Sequence, residues 1–319
     1  MGDRRLAQQA AVALSRAARK SAAAPTRAAA IRYRAGLWLL LTPFLLGTVV
    51  LVGLPAILTF ALAFTDFDAL SPPVWQGTRN FADLGEDRLF WTAVRNSSLF
   101  VLLAVPLRTL AALALALLLS QRRRGVGIYR VAVFLPTVIP DVAYALIWLW
   151  IFNPLYGPLN LVLGALGLPQ PAWLVHAGSA LPALVIMTLF QIGEGFIVLL
   201  AGLQQAPKDC YEAGVIDGAN RWQLFRYITL PLLAPWLLLL TVRDVVVTAQ
   251  NTFTPTMLMT GGGPYYATLF MPLLVYEEAF DRWRFGDAAA IMLVVYAGIG
   301  LLLLLMYLTV KGRIHDGEV

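Results

Sequence analysis

Charge is what this sequence has least of. Only 13% of its 319 residues are charged, while 59% are hydrophobic and the mean hydropathy is +0.72. Soluble domains carry about 25% charged residues, so the deficit points to a lipid solvent rather than to an oversized core. Cysteine is nearly absent: Cys210 stands alone, so no disulfide can form within the chain. One cysteine and two histidines also leave little with which to build a zinc site, and no metal site is expected. Lysine is scarce too. Lys20, Lys208 and Lys311 are the whole set, and none follows the Gly-x-x-x-x-Gly spacing that a nucleotide-cradling P-loop needs. No Gly-x-Ser-x-Gly, His-Glu-x-x-His or Cys/His constellation is present, so no catalytic residue is assigned. The first 30 residues are rich in Ala and Arg but lack the apolar core of a secretory signal.

What the chain has in abundance is long apolar runs. Six are near or above the ~20 residues a membrane helix requires: 36–64, 96–120, 128–152, 180–203, 229–249 and 288–310. None shows the strict ten-residue alternation of a barrel strand. The fold class is therefore all-α, a polytopic membrane protein of six transmembrane helices. The lysines and arginines alternate between connections. They gather in the N-terminal tail 1–35, in the loop holding Arg122, Arg123 and Arg124, in 204–227, and in the C-terminal tail at Lys311 and Arg313. The other three connections are poor in them. Positive loops stay inside, so both tails, 1–35 and 313–319, are expected in the cytoplasm with the spanning domain 36–312 between them.

The connection 204–231 lies on the same side and contains YEAGVIDGANRWQLFRYITLP. Pro207 suits a helix start, and Gly218 supplies a left-handed turn. Asn220 and Gln223 have the spacing of a capping box. The segment is predicted to form a helical hairpin that shows Tyr211, Trp222 and Phe225 on a polar face, the kind of knob that fits a socket on another protein. The pattern Glu212-Ala213…Gly218…Ile228-x-Leu230-Pro231 resembles the EAA loop of bacterial ABC importer permeases. Gly214 departs from it, standing where a second alanine is usual. The segments 134–160, 258–264 (LMTGGGP), 276–280 (YEEAF) and 77–81 (GTRNF) are similar to the carbohydrate branch of those importers, of the maltose and glycerol-phosphate type.

That resemblance implies a type I ABC importer permease fold. It implies a second permease subunit as heterodimer partner and a cytoplasmic ATP-binding subunit dimer that grips the hairpin. An extracellular solute-binding protein would deliver a sugar. ATP and Mg would be bound on the ATPase, with no cofactor on this chain, and no nucleic-acid partner is expected. On the resemblance, Tyr211, Glu212, Ala213, Gly214, Asp217, Gly218, Ala219 and Pro231 take the coupling roles.

Arg108, Asp141, Glu194, Arg243 and Asp244 fall within or near the apolar runs, where an ionisable group costs at least ~2.5 kcal/mol. Two roles are open: pairing that ties spans together, such as Arg108 with Glu194 or Asp141, and a polar path for a hydroxyl-rich solute. Arg243 and Asp244, as neighbours on a helix, are expected to need separate partners. Pro136 and Pro140 should kink the third span and favour a cavity wall near Asp141 and Tyr144. Gln191 and Glu194 share a face, with Gly193 and Gly195 allowing close approach. Asn251 and Thr252 follow the fifth span, where they suit a sugar or a helix end equally. Trp148 and Trp150 read as interface anchors. The rival reading is an ion-coupled secondary transporter, which leaves the hairpin without a task. An intramembrane enzyme built on Asp141 and Asp244 is the remotest alternative.

Overall fold

The computed structural model describes residues 27–121 and 124–315. Most of the basic tail, Arg122 and Arg123 of the arginine run, and residues 316–319 lie outside the described residues. The chain divides into two units, 1–59 and 60–319. In the first, helix α1 (Arg27–Thr48) continues through a π turn (Val49–Gly53) into α2 (Leu54–Leu62), whose last residues open the second unit. No side chain of 35–59 is buried.

The second unit is a helical bundle. Its short outer helix α3 (Arg79–Glu86) precedes α4 (Arg88–Leu119), α5 (Val126–Phe134), α6 (Asp141–Ile151), α7 (Pro158–Ala165), α8 (Ala177–Thr188) and α9 (Gly193–Gln205). Then come α10 (Lys208–Ile216), α11 (Arg221–Leu224), α12 (Leu230–Gln250), α13 (Phe253–Met259), α14 (Met271–Tyr276) and α15 (Phe285–His315). Among the described residues the sole sheet is a two-stranded hairpin, β1 (Thr65–Asp66) against β2 (Val74–Trp75). The all-helical expectation holds, as it must where no water is present to satisfy a backbone group.

Four helices are long and apolar enough to cross a membrane: Ala35–Leu62, Arg88–Leu119, Arg221–Gln250 and Phe285–Leu308. Two bent pairs bring the number to six when each is counted as one span. The pair Val126–Val138 and Asp141–Ile151 turns through 102°. That is a break rather than the kink expected, and its cause is local. Ile139 precedes Pro140, and both are extended, with ψ 128° and 139°. A residue before proline avoids the helical region, so the chain straightens before α6 restarts. The pair Ala177–Thr188 and Gly193–Gln205 bends by 45° at 189–192. The sequence reading had one continuous span there. No proline marks this break, and Pro182 sits inside α8 without ending it.

Three buried clusters hold the second unit together. Leu113, Ala116, Phe196, Leu199, Leu233 and Leu240 join α4, α9 and α12 near the hairpin. Phe100, Tyr144, Trp148, Phe152, Leu184 and Phe270 fill the space between α4, α6 and α8. Leu84, Phe90, Leu269, Leu274 and Ile291 pack under the opposite loops. Trp148 is 7% exposed and packs in tilted ring contacts with Phe152 and Phe190, so it is a core residue and not the interface anchor predicted; Trp150 is exposed.

The loops at that end are tied by buried polar groups. Asn80, from the GTRNF stretch, donates to the carbonyls of Ala63 (2.9 Å) and Thr65 (3.0 Å) and accepts from Gln76 (2.7 Å). Asn96 donates to the carbonyls of Tyr266 and Leu269. Glu278, buried within YEEAF, pairs with Arg282 and Arg284. Asp68 accepts from the Ser71 N–H (2.8 Å), the Ser71 hydroxyl (2.8 Å) and the Leu70 N–H (3.0 Å), donors that hold its carboxyl below the usual range.

Candidate functional site

Both helix breaks open onto one cavity of about 170 Å³. Asp141, Tyr144, Gln191, Glu194, Asn251 and Thr252, the six residues that the sequence placed along a solute path, all line it. Arg108, Thr137, Thr188, Arg243 and Thr248 complete the polar wall, with Phe100, Met187, Val247 and Pro255 beside them. The wall is thus drawn from α4, α6, the α8–α9 break, α12 and α13.

A helix break frees carbonyls that must find donors, and the cavity side chains supply them. The Tyr144 hydroxyl donates to the Met187 carbonyl at 2.7 Å. Arg108 donates to the Gln191 carbonyl at 3.2 Å. Thr188 donates to Val185 at 2.7 Å, and Thr137 bonds the Phe134 carbonyl. The two breaks touch at Gly193, where an added Cβ would lie 2.8 Å from the Phe134 Cα and 2.9 Å from the Thr137 hydroxyl. Gly195 similarly admits Ala112 and Leu240 at ordinary contact distance. The close approach expected of both glycines is present at Gly193 alone, since a Cβ at Gly195 would fit.

The charged residues form a chain of alternating sign. The Arg108 Nε lies 3.9 Å from Asp244, Asp244 accepts from Arg243 at 3.0 Å, and Arg243 pairs with Glu194. This ladder links α4, α12 and α9. It corrects two expectations. Arg108 pairs with Asp244 instead of Glu194 or Asp141. Arg243 and Asp244, besides having separate partners, also meet each other. The Arg108 and Asp244 side chains are 13% and 7% exposed, whereas Arg243 and Glu194 are 38% and 55% exposed. The inner pair is therefore far more costly to break than the outer one.

Thr137, Thr188 and Thr248 were not singled out in the sequence. A signal existed for Thr248. With Asp244, Asn251 and Thr252 it forms an i, i+4, i+7, i+8 polar stripe on the end of α12. Thr137 and Thr188 carry no such pattern, because each belongs to a break.

The hairpin 204–231 is built as its residues dictate. Pro207 caps α10, and Gly218 takes φ +80°. The Ala219 N–H bonds the Gly214 carbonyl at 2.9 Å and the Gly218 N–H bonds that of Val215 at 3.1 Å, the paired bonds of a Schellman stop. Asn220 and Gln223 form both bonds of the capping box, at 2.7 and 2.9 Å. From there α11, a π turn (Phe225–Thr229) and α12 run as one helix. Glu212, Ala213, Asp217 and Pro231 are exposed, while Gly214 and Ala219 are half-buried. Tyr211 turns inward, its hydroxyl 3.1 Å from that of Thr229. Gly214 has a structural reason to depart from alanine: a Cβ there would meet Leu224 at 2.8 Å and Ile228 at 3.0 Å. The crown of the hairpin shows Ile216 (85% exposed), Trp222 (68%) and Tyr227 (72%). Arg130, on α5, caps α4 by donating to the Leu119 carbonyl at 2.7 Å.

Known proteins agree with this architecture. In a crystal structure of a bacterial ABC transporter that imports the acidic polysaccharide alginate, one chain superposes with a TM-score of 0.78 at 22% identity. The match covers 88% of this chain and 96% of that one, and at that identity it speaks for the fold. The sequence is 33% identical to the probable ABC transporter permease protein YesP of Bacillus subtilis, over 86% of this chain and 90% of YesP. It is 34% identical to the trehalose/maltose transport system permease protein MalF of Thermococcus litoralis, over 78% and 84% of the two chains. Residues 108–315 match the family described as "Binding-protein-dependent transport system inner membrane component". The chain belongs to that family, the inner-membrane permease components of binding-protein-dependent transport systems.

Proposed function

We propose that this chain is one of two permease subunits of an ATP-driven carbohydrate importer, with 36–312 as its membrane domain and half of the solute path formed by the cavity between its broken helices. The observation that carries the reading is the convergence of both breaks on one polar cavity. A sugar needs many oriented donors and acceptors, and a membrane bundle exposes them only where its helices are interrupted. Relatives named for trehalose/maltose and for starch degradation products support the substrate class.

The hairpin is the coupling element. Glu212, Ala213, Asp217 and Gly218, flanked by the exposed Ile216 and Trp222, form a rigid apolar-and-acidic knob that fits a cleft on a cytoplasmic ATP-binding subunit, where ATP and Mg reside. Tyr211, Gly214 and Ala219 hold the knob's shape, and Pro231 lies where α11 passes into the fifth span. The alternation of basic connections supports a cytoplasmic place for the hairpin and both termini. An external binding protein delivers the sugar to the opposite face. The reading is tested by reconstituting the complete importer in liposomes. Sugar uptake that requires ATP and survives a proton uncoupler supports it; uptake that ignores ATP and collapses with the proton gradient overturns it.

A further inference from the structure

The cavity's charges are unevenly spent. Arg108, Asp244, Arg243 and Glu194 balance two positive charges against two negative ones along the ladder, with the Arg108 Nε 3.9 Å from Asp244 and without a hydrogen-bond partner. Asp141 also lines the cavity, exposed on the first turn of α6. Among the described residues no hydrogen bond or ion pair reaches its carboxylate. What remains free around it is neutral: the side-chain amides of Gln191 and Asn251, and the Thr252 hydroxyl, which is buried without a partner. Among the lining residues Arg108 and Arg243 balance Asp141 and Glu194, and with Asp244 behind the wall one negative charge is in excess, left at Asp141 amid groups that exchange hydrogen bonds with hydroxyls.

We propose that Asp141 is a charge filter that restricts this cavity to neutral, hydroxyl-rich sugars and turns away uronates and sugar phosphates. The proposal rests on the carbohydrate reading above and narrows it. A neutral sugar hydroxyl donates to the Asp141 carboxylate, a charge-assisted bond stronger than a neutral one. A carboxylate or phosphate at the same place meets a like charge that no cation is paired with, and the repulsion grows as the local dielectric falls. Discrimination of this kind comes from an unfavourable contact with the wrong solute as much as from a favourable one with the right solute.

The experiment uses the chain copurified with its membrane partners in nanodiscs, at about 0.15 M salt so that long-range fields are screened. Four neutral trisaccharides (gluco-, galacto-, manno- and xylo-) are compared with acidic trisaccharides carrying uronate carboxylates, by equilibrium binding. The wild type should bind its best neutral sugar at least about tenfold more tightly than the acidic counterpart. Asp141→Asn should tighten binding of the acidic sugar and shrink that ratio to about threefold or less, while neutral binding weakens as a charge-assisted bond becomes a neutral one. Asp141→Glu should keep the discrimination. Equal binding of both sugars to the wild type, or an unchanged ratio in Asp141→Asn, overturns the charge filter and leaves the sugar path standing. Binding of no sugar at all by the wild type overturns the path and the filter together.

Discussion

At the scale of single residues, burial decides which charges are structural. Asp244 sits between two guanidiniums at 7% exposure. Removing it with Asp244→Ala strands Arg108, and breaking a buried pair from one side costs about 3–5 kcal/mol. Glu194, at the exposed end of the same ladder, should tolerate Glu194→Gln at under about 1 kcal/mol. Thermal unfolding of the two purified variants in detergent checks this, and comparable losses would show that the ladder does not grade with burial. Two glycines make a second contrast. At Gly193 a methyl group meets the Phe134 Cα, which cannot yield without moving the backbone, so Gly193→Ala should cost about 1–3 kcal/mol. At Gly214 a methyl group meets only the tips of Leu224 and Ile228, which can rotate away. Gly214→Ala should therefore stay within about 1 kcal/mol of the wild type, because the helix gain of alanine offsets the crowding. The same melting measurement reads both.

At the scale of elements, the hairpin was legible almost completely and the breaks only in part. Pro207, Gly218, Asn220 and Gln223 each specify a backbone state or a bond that depends on neighbours within a few residues, and local chemistry of that kind survives into the fold. Pro136 and Pro140 announced a disturbance in the third span but not its 102° extent. That extent depends on Ile139 being driven extended between them and on what the released turn can pack against. The break at 189–192 has no local cause. It exists because Gly193 lets α9 begin against the Phe134–Thr137 turn, a contact between segments more than fifty residues apart in sequence. The hairpin also yields a functional prediction. A β-branched residue at φ +80° is strained by about 1–2 kcal/mol, so Gly218→Val should deform the knob without disturbing the spans. Glu212→Lys should leave its shape intact and reverse the charge on its exposed face. In reconstituted importer, both variants should retain ATP hydrolysis while losing sugar uptake. Wild-type uptake in either would remove the coupling role from that residue.

At the scale of the whole molecule, the apolar runs foretold a bundle of up to six spans, and the charge alternation along the chain predicts which side each connection faces. The cavity residues were legible as polar exceptions in apolar surroundings, and all six now face one space. Which of them pair, and with what, was not legible, because Arg108 meets Asp244 across 136 positions of sequence and no periodicity reports such a distance. The claim on which the functional reading turns is that the 204–231 hairpin faces the compartment where ATP is made available. Cys210 tests it directly, being exposed on α10 and the chain's sole cysteine. In spheroplasts with sealed inner membranes, a membrane-impermeant maleimide should leave Cys210 unmodified, and in inverted vesicles stripped of the ATP-binding subunit it should modify it fully. Modification of Cys210 in intact spheroplasts would place the hairpin outside and contradict the coupling mechanism.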